Sequence, residues 1–549
     1  KSAVKERKLL MANSKILKGT AILGIAGIFV KILGAVFRIP LTALIGTEGM
    51  AYYGYAYPLY SLFLVIATAG IPVAISRMVS EKIAYNDFSG AQRVFRVSRW
   101  LLLAIGVFAF AVCFFGAELI AKYVSKDMGA VLPIKAIAPA LIFVPVMSAY
   151  RGYFQGRQNM NPTAISQFIE QIFRVAVGLI LASVMVAQGL EMAAAGATFG
   201  ATVGSIAGLL IIMLIYALNK KAINYHIRQS RQIHTERRKK EKTMAIVKQI
   251  LIIAIPITIG ASILPLVNFA DSAIVTRRLL DGGFTDVEAR ELWGQLSGYC
   301  NTMVGLPQVL TQAVAVAMVP AIAAAYKLRN RAEIDENINL GMRISMIIGM
   351  PCAAGMIALA EPILLLLFSS EAASAISAAP TLMVMCLGVP LMALLQTTNG
   401  ILQGVNRQVL PMKNLAIGAV AKIILTYVLV AIPSLNIKGA AIGSVFVYGI
   451  ALILNLRDMK RYTKVRVDFM LTYIKPTAAS VIMGVCAFAS YKILFGALGS
   501  NSLATLGAVV VGVIVYAVLI LATKAITKEE IGRLPKGGKL VKILDKFIK

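Results

Sequence analysis

The chain has 549 residues, 58% of them hydrophobic and 15% charged, with a mean hydropathy of +0.79. A soluble domain carries about 25% charged residues, so water would not solvate this much apolar surface; apolar runs of roughly 18 to 30 residues require bilayer-spanning helices, not barrel strands of ~10 alternating residues. A net charge of +30 on a soluble chain would point to nucleic acid, but here its distribution assigns it to membrane topology, and no nucleic-acid partner is expected.

In chain order, residues 1–15 form a basic arm. Helices are predicted over 16–46, 55–76, 100–124, 131–150, 163–187 and 192–217, making a first lobe of 16–217. A basic linker, 218–245, follows. Six more helices, 246–276, 299–326, 341–369, 378–404, 412–432 and 437–456, make a second lobe of 246–456. Two further helices, 470–495 and 505–523, occupy 457–523. A basic tail covers 524–549, and its KLVKILDKFIK segment alternates lysines with Leu540, Ile543, Leu544, Phe547 and Ile548, the pattern of an amphipathic helix on a membrane surface. The first apolar run is too long and too charged for the core of a cleavable leader.

The charges test this count of fourteen. Lys and Arg number six in 1–18, five in 77–99, ten in 219–248 and eight in 524–549. Taken over alternate loops, 42 of the 55 fall on one side and six on the other. That asymmetry places both termini in the cytoplasm. The linker segment IRQSRQIHTERRKKEK reads as a topology determinant beside anionic lipid.

The two halves resemble each other. YFQG at 153–156 matches ILQG at 401–404, and Arg174 meets Lys422 at the same offset of 248. Arg96 and Ser98 meet Arg343 and Ser345, and GATFG at 196–200 matches GAAIG at 439–443. Six helices per repeat is an even number, so both halves share one orientation, about an axis along the membrane normal. The predicted fold is all-α and integral to the membrane. It has about 14 transmembrane helices in two pseudo-symmetric six-helix lobes, plus two extra C-terminal helices. Lobes of this kind enclose a central cavity and give alternating access by rocking.

Charges at membrane depth are costly and mark function. Lys31 and Arg38 lie on the first helix at i and i+7, on one face. Arg174 lies on the fifth helix and Lys422 on the eleventh. Together these four cations suit an anionic headgroup such as a phosphate or pyrophosphate. Glu170, four residues before Arg174, offers a competing reading as its ion-pair partner. Asp271 on the seventh helix, with Asn268 one turn earlier, is a candidate site for a coupling ion, Na⁺ or H⁺; the competing reading is a helix-end charge beside Arg277 and Arg278. Gly196, Gly200, Gly204 and Gly208 form a small-residue face for close helix packing.

Nothing points to catalysis. The chain has no Walker A, HExxH or GxSxG motif, and its five cysteines lack CxxC spacing. His226 and His234 sit in the basic linker, where a metal site is not expected. No cofactor is expected, and no metal beyond a sodium ion at Asp271. Drive would come from an ion gradient or the membrane potential.

The segment KGTAILGIAGIFVKILGAVFRIPLTALIGTEGMAYYGYAYPLYSLFLVIATAGIPVAISRMVSE, with GYFQGRQNMNPTA further on, resembles the polysaccharide-flippase branch of the multidrug/oligosaccharidyl-lipid/polysaccharide (MOP) exporter superfamily. The likeness is to its YtgP/SpoVB type, akin to MurJ-type lipid II flippases, and covers nearly the whole chain. It implies a V-shaped fold whose cationic cavity takes the pyrophosphate and sugars of an undecaprenyl-linked cell-wall precursor, lipid II first among them. The lipid tail would run in a groove by the last two helices. In MurJ-type proteins arginines on helices 1, 2 and 8 serve the cavity. Lys31 and Arg38 fall at or near the helix 1 positions, while the other two fall near Phe63 or Leu64 and near Thr302. Asp271 lies on the helix that gives an acidic sodium ligand in some relatives. The implied setting is the bacterial cytoplasmic membrane, with a lipid-linked oligosaccharide and membrane lipids as partners. Capsule, teichoic-acid or spore-cortex precursors are alternative substrates. Ion-coupled drug export and a scaffold recruiting cell-wall synthesis enzymes are alternative functions.

Overall fold

The structure is a computed structural model that describes residues 2–233, 241–465 and 467–525, and within them the side chains from Gly27 onward except those of Ile28, Lys31, Ala35, His226 and residues 229–233. The amphipathic tail expected over 539–549 and His234 lie outside the described residues. Among the described residues, thirteen helical stretches are long and apolar enough to cross a membrane. The first, Ile32–Ala84, has 53 residues, about 80 Å of helix at 1.5 Å per residue. That is enough for two crossings of a core of about 30 Å, and the break comes at Gly46, whose φ of 65° favours a residue without Cβ. We therefore number fourteen helices. They are α1 (2–45), α2 (47–84), α3 (Phe88–Phe115), α4 (Met128–Gly156), α5 (Asn161–Gln188), α6 (Leu190–Leu218) and α7 (Thr243–Asp281). They continue with α8 (Asp286–Lys327), α9 (Arg331–Ala358), α10 (Ser369–Gly404), α11 (Val409–Leu429), α12 (Lys438–Thr463), α13 (Met470–Leu498) and α14 (Asn501–Ala522).

One boundary moves materially from its sequence expectation. The segment 47–54 contains two glycines and polar residues and reads as a turn, but it is helical. Packing overrides the local signal: Thr47 and Met50 are buried, Gly294 and Gly298 of α8 lie against them, and Tyr55 stacks on Trp293 at 5.8 Å between centroids. Part of the basic linker is also helical, over Lys220–Ile233, where Ile223 is buried.

The sequence repeat reappears as matched packing. A Cβ added at Gly156 of α4 would come within 2.7 Å of Ser76 O and of Val79 Cβ in α2; one at Gly404 of α10 would come within 3.1 Å of Val319 O and 2.7 Å of Ile322 Cβ in α8. Likewise Gly200 of α6 abuts the Arg174 carbonyl, and Gly443 of α12 abuts that of Lys422. In each case glycine lets two backbones approach where a side chain would hold them apart.

The chain packs as two compact units, residues 1–302 with 419–443, and 303–418 with 444–549. The first has an aromatic core in which the Phe95 ring lies 4.6 to 5.3 Å from those of Tyr150, Tyr153 and Tyr216. The second holds a buried amide network: Asn414 Nδ2 donates to Asn455 Oδ1 (2.9 Å) and Asp458 Oδ2 (2.8 Å), and Asn455 Nδ2 donates to Asn399 Oδ1 (2.7 Å). There α14 docks on α9, Tyr516 Oη donating to Ile347 O at 2.8 Å. Val510, Val513, Ile514 and Val518 of α14 stay exposed, as a lipid-facing surface requires.

Candidate substrate site

The site lies in the first unit, where α1 and α5 come together. A Cβ on Gly34 would stand 3.3 Å from Gln171 Nε2, and one on Gly178 would stand 3.3 Å from the Phe37 ring. Arg38 is one turn beyond Gly34, and Arg174 lies between Gln171 and Gly178, so close packing sets both arginines at one level. Facing them is α2, whose Tyr53, Tyr57 and Tyr60 follow at i, i+4 and i+7 and share a side. Tyr53 and Tyr57 stack at 5.4 Å with an 11° angle between rings, and Tyr60 tilts against Tyr57 at 5.9 Å. The Arg38 Cζ is 5.9 Å from the Tyr53 centroid and 5.8 Å from that of Tyr57; the Arg174 Cζ is 5.1 Å from Tyr57.

The competing reading of Arg174 is settled by geometry. Glu170 is bound by Arg151 instead, whose Nη2 donates to Glu170 Oε2 at 2.8 Å while its Nε donates to Ser166 Oγ at 2.9 Å. Arg290 is likewise met by carboxylates, Asp127 Oδ2 at 2.6 Å and Glu48 Oε1 at 2.8 Å. Arg38 and Arg174 have aromatic faces as partners. A ring attracts a guanidinium by about 0.5 to 2 kcal/mol but leaves its formal charge uncancelled. An ion pair cancels it. Among the described residues neither guanidinium meets a carboxylate, so the site carries two positive charges at the depth of the apolar helices, where charge is costly.

Two further sequence candidates meet each other. Lys422 Nζ donates to Asp271 Oδ2 at 2.5 Å, with 5% and 9% of the residues exposed. The pair joins α11 to α7 and leaves Lys422 balanced by a carboxylate, unlike Arg38 and Arg174, whose charges face tyrosines. Asp271 Oδ1 and Thr426 Oγ1, one turn beyond Lys422, are buried without hydrogen-bond partners. Asn268 is exposed. The residues as placed do not fit a sodium ion: the ammonium already balances the carboxylate, and a second cation on Oδ1 would face it across one carboxyl group. Among the described residues no cluster of three or more His, Cys, Asp or Glu could hold a metal. Lys31 is in α1, two turns before Arg38, with its side chain outside those described.

Sequence reasoning passed over the tyrosines, although their helical spacing was there to read in YYGYAYPLY. The glycines before Tyr55 disguised 47–54, Tyr53 included, as a turn, and the resemblance directed attention further along the helix, to Phe63 and Leu64. Those residues and Thr302 are uncharged, where the resemblance would have arginines.

Some fourteen apolar helices in two repeats, with uncancelled cations at membrane depth, define a polytopic membrane transporter. The sequence profile described as "Polysaccharide biosynthesis protein" matches residues 16–325, and that described as MatE matches 297–428. The chain belongs to the polysaccharide biosynthesis protein family, within the MOP superfamily of flippases and exporters. It is 29% identical to Stage V sporulation protein B of Bacillus subtilis (strain 168), over 97% of this chain and 100% of that one. It is 27% identical to the Lipid II flippase MurJ of the same organism, over 89% and 90%. In fold it is similar to a solved MurJ in an inward closed conformation (TM-score 0.66, 18% identity, 91% of this chain and 98% of that one). It is also similar to an inward-facing multidrug MATE transporter (TM-score 0.65, 18% identity, 79% and 94%).

Proposed function

We propose that this protein is a flippase for an undecaprenyl-pyrophosphate-linked cell-wall precursor, lipid II first, which it carries across the bacterial cytoplasmic membrane by alternating access. The observation behind this reading is the pairing of Arg38 and Arg174 with tyrosine rings in place of carboxylates. Two uncancelled cations favour a doubly charged headgroup and disfavour a cationic drug, which needs acidic residues to receive it. The acids Glu170 and Asp271 are each taken up by a basic partner. Similarity to a lipid II flippase supports the substrate. Similarity to a sporulation protein supports a second reading, a spore-cortex precursor on the same carrier. The excess of Lys and Arg in alternate loops supports a cytoplasmic placement of both ends of the sequence.

The test places the gene as sole flippase in a bacterium depleted of its own and measures lipid II on the outer leaflet. Restored exposure, lost in Arg38→Ala and Arg174→Ala proteins that still reach the membrane, is the expected result. Normal exposure with both arginines removed would sink the assignment. Stable expression without restored exposure would redirect the reading to another lipid-linked glycan.

A further inference from the structure

Resting on that reading, we infer that Tyr57 is the positioning residue of the anion site, holding the guanidinium groups of Arg38 and Arg174 on one ring so that both charges converge on a single anion. Among the described residues, Tyr57 is the ring that both guanidiniums share. The two Cζ–centroid distances, 5.8 and 5.1 Å, hold the two charges within about 11 Å of each other. Like charges so placed repel, and among the described residues neither arginine has a carboxylate to restrain it.

The choice of residue follows from the chemistry. A carboxylate at this position would hold both arginines more firmly but would cancel the charge that the anion needs. An aliphatic side chain would preserve charge but hold nothing. An aromatic face does both jobs, attracting each guanidinium by its quadrupole while remaining neutral. Tyr57 is itself backed by Tyr53, stacked at 5.4 Å, which fixes the plane of the ring. Because cations and the neighbouring tyrosine already crowd the ring, its role is to seat the arginines and not to stack a sugar.

The test uses the full chain purified in detergent, with inorganic pyrophosphate as the probe in titration calorimetry, alongside the flipping assay. Tyr57→Phe keeps the ring, and should bind pyrophosphate within about threefold of the original protein and support flipping. Tyr57→Leu should bind on the order of tenfold more weakly. Tyr57→Glu supplies ion-pair partners, so the fold should melt no lower than the original while pyrophosphate binding and flipping are lost. If Tyr57→Leu or Tyr57→Glu binds the probe as the original does, while Arg38→Ala and Arg174→Ala lose it, the positioning role is overturned and the anion site stands. If the original and both arginine variants bind alike, the anion site itself falls and the positioning role with it.

Discussion

Arg174 on α5 and Lys422 on α11 occupy the same point of the two repeats, 248 residues apart, yet Arg174 faces tyrosine rings and Lys422 faces the carboxylate of Asp271 at 2.5 Å. The backbone environment is shared, since a glycine of the following helix packs on the carbonyl of each. The divergence is in what α2 and α7 present. One repeat keeps a charge for use; the other closes it into a structural pair.

The pair should behave as structure. Removing one member of a buried ion pair strands a charge, at a cost of about 3–5 kcal/mol, whereas replacing both with apolar residues of similar size is near neutral. Lys422→Met should therefore lower stability by about that amount, and Asp271→Leu combined with Lys422→Met should recover most of the loss. Thermal unfolding in detergent measures both. A Lys422→Met protein as stable as the original would show that the pair contributes little.

The same logic separates Glu170 from Arg174, neighbours at i and i+4 with different duties. Glu170 is fastened to Arg151 at 2.8 Å, so Glu170→Leu should destabilise by about 1.5–3 kcal/mol, the worth of a charged hydrogen bond. Arg174→Ala removes contacts to neutral tyrosines and strands no charged partner among the described residues, and should keep the fold within about 1–2 kcal/mol while abolishing flipping. If Glu170→Leu is harmless and Arg174→Ala unfolds the protein, their roles have been reversed here.

How much of this the sequence carries is instructive. The helices and the repeat were legible because hydropathy, loop charge and glycine spacing report the bilayer and close packing directly. Arg38 and Arg174 were legible as charges where charge is expensive. Their partners were not. A guanidinium 5 to 6 Å from a ring on another helix leaves no trace in sequence spacing, and the obvious i,i+4 partner, Glu170, was claimed by Arg151 from α4. Lys422 and Asp271 were each read alone because 151 residues separate two side chains that touch.

The glycine contacts supply a test of the repeat itself. A methyl group added at Gly156 or at Gly404 must displace a helix-backbone oxygen and a β-carbon in the facing helix. Overpacking of this kind costs about 1–3 kcal/mol, and the two alanine variants should lose similar amounts. Gly305 of α8 has nothing within 4 Å of an added Cβ, so Gly305→Ala should be neutral or stabilising by about 0.5–1 kcal/mol through helix propensity. Melting temperatures of the three variants would check this. Unequal losses at Gly156 and Gly404 would show that the helices are not equivalently packed.

Arg290 of α8 reaches two carboxylates at once, and burial predicts which matters. Its Nε meets Asp127 Oδ2 at 2.6 Å, where the aspartate side chain is 8% exposed; its Nη1 meets Glu48 Oε1 at 2.8 Å, where the glutamate is 46% exposed. Asp127 also accepts from the backbone N–H of Gly129 at 3.0 Å, which fixes the carboxylate before the arginine arrives. Exposed pairs are worth about 0–1 kcal/mol because water screens them and two long side chains must be ordered. A preorganised and desolvated pair escapes both costs. Double-mutant cycles on thermal stability should therefore give a coupling of about 1.5–3 kcal/mol between Arg290 and Asp127, and no more than about 1 kcal/mol between Arg290 and Glu48. A larger coupling to Glu48 would mean that the order of burial does not set the order of strength where α2 and the start of α4 meet α8.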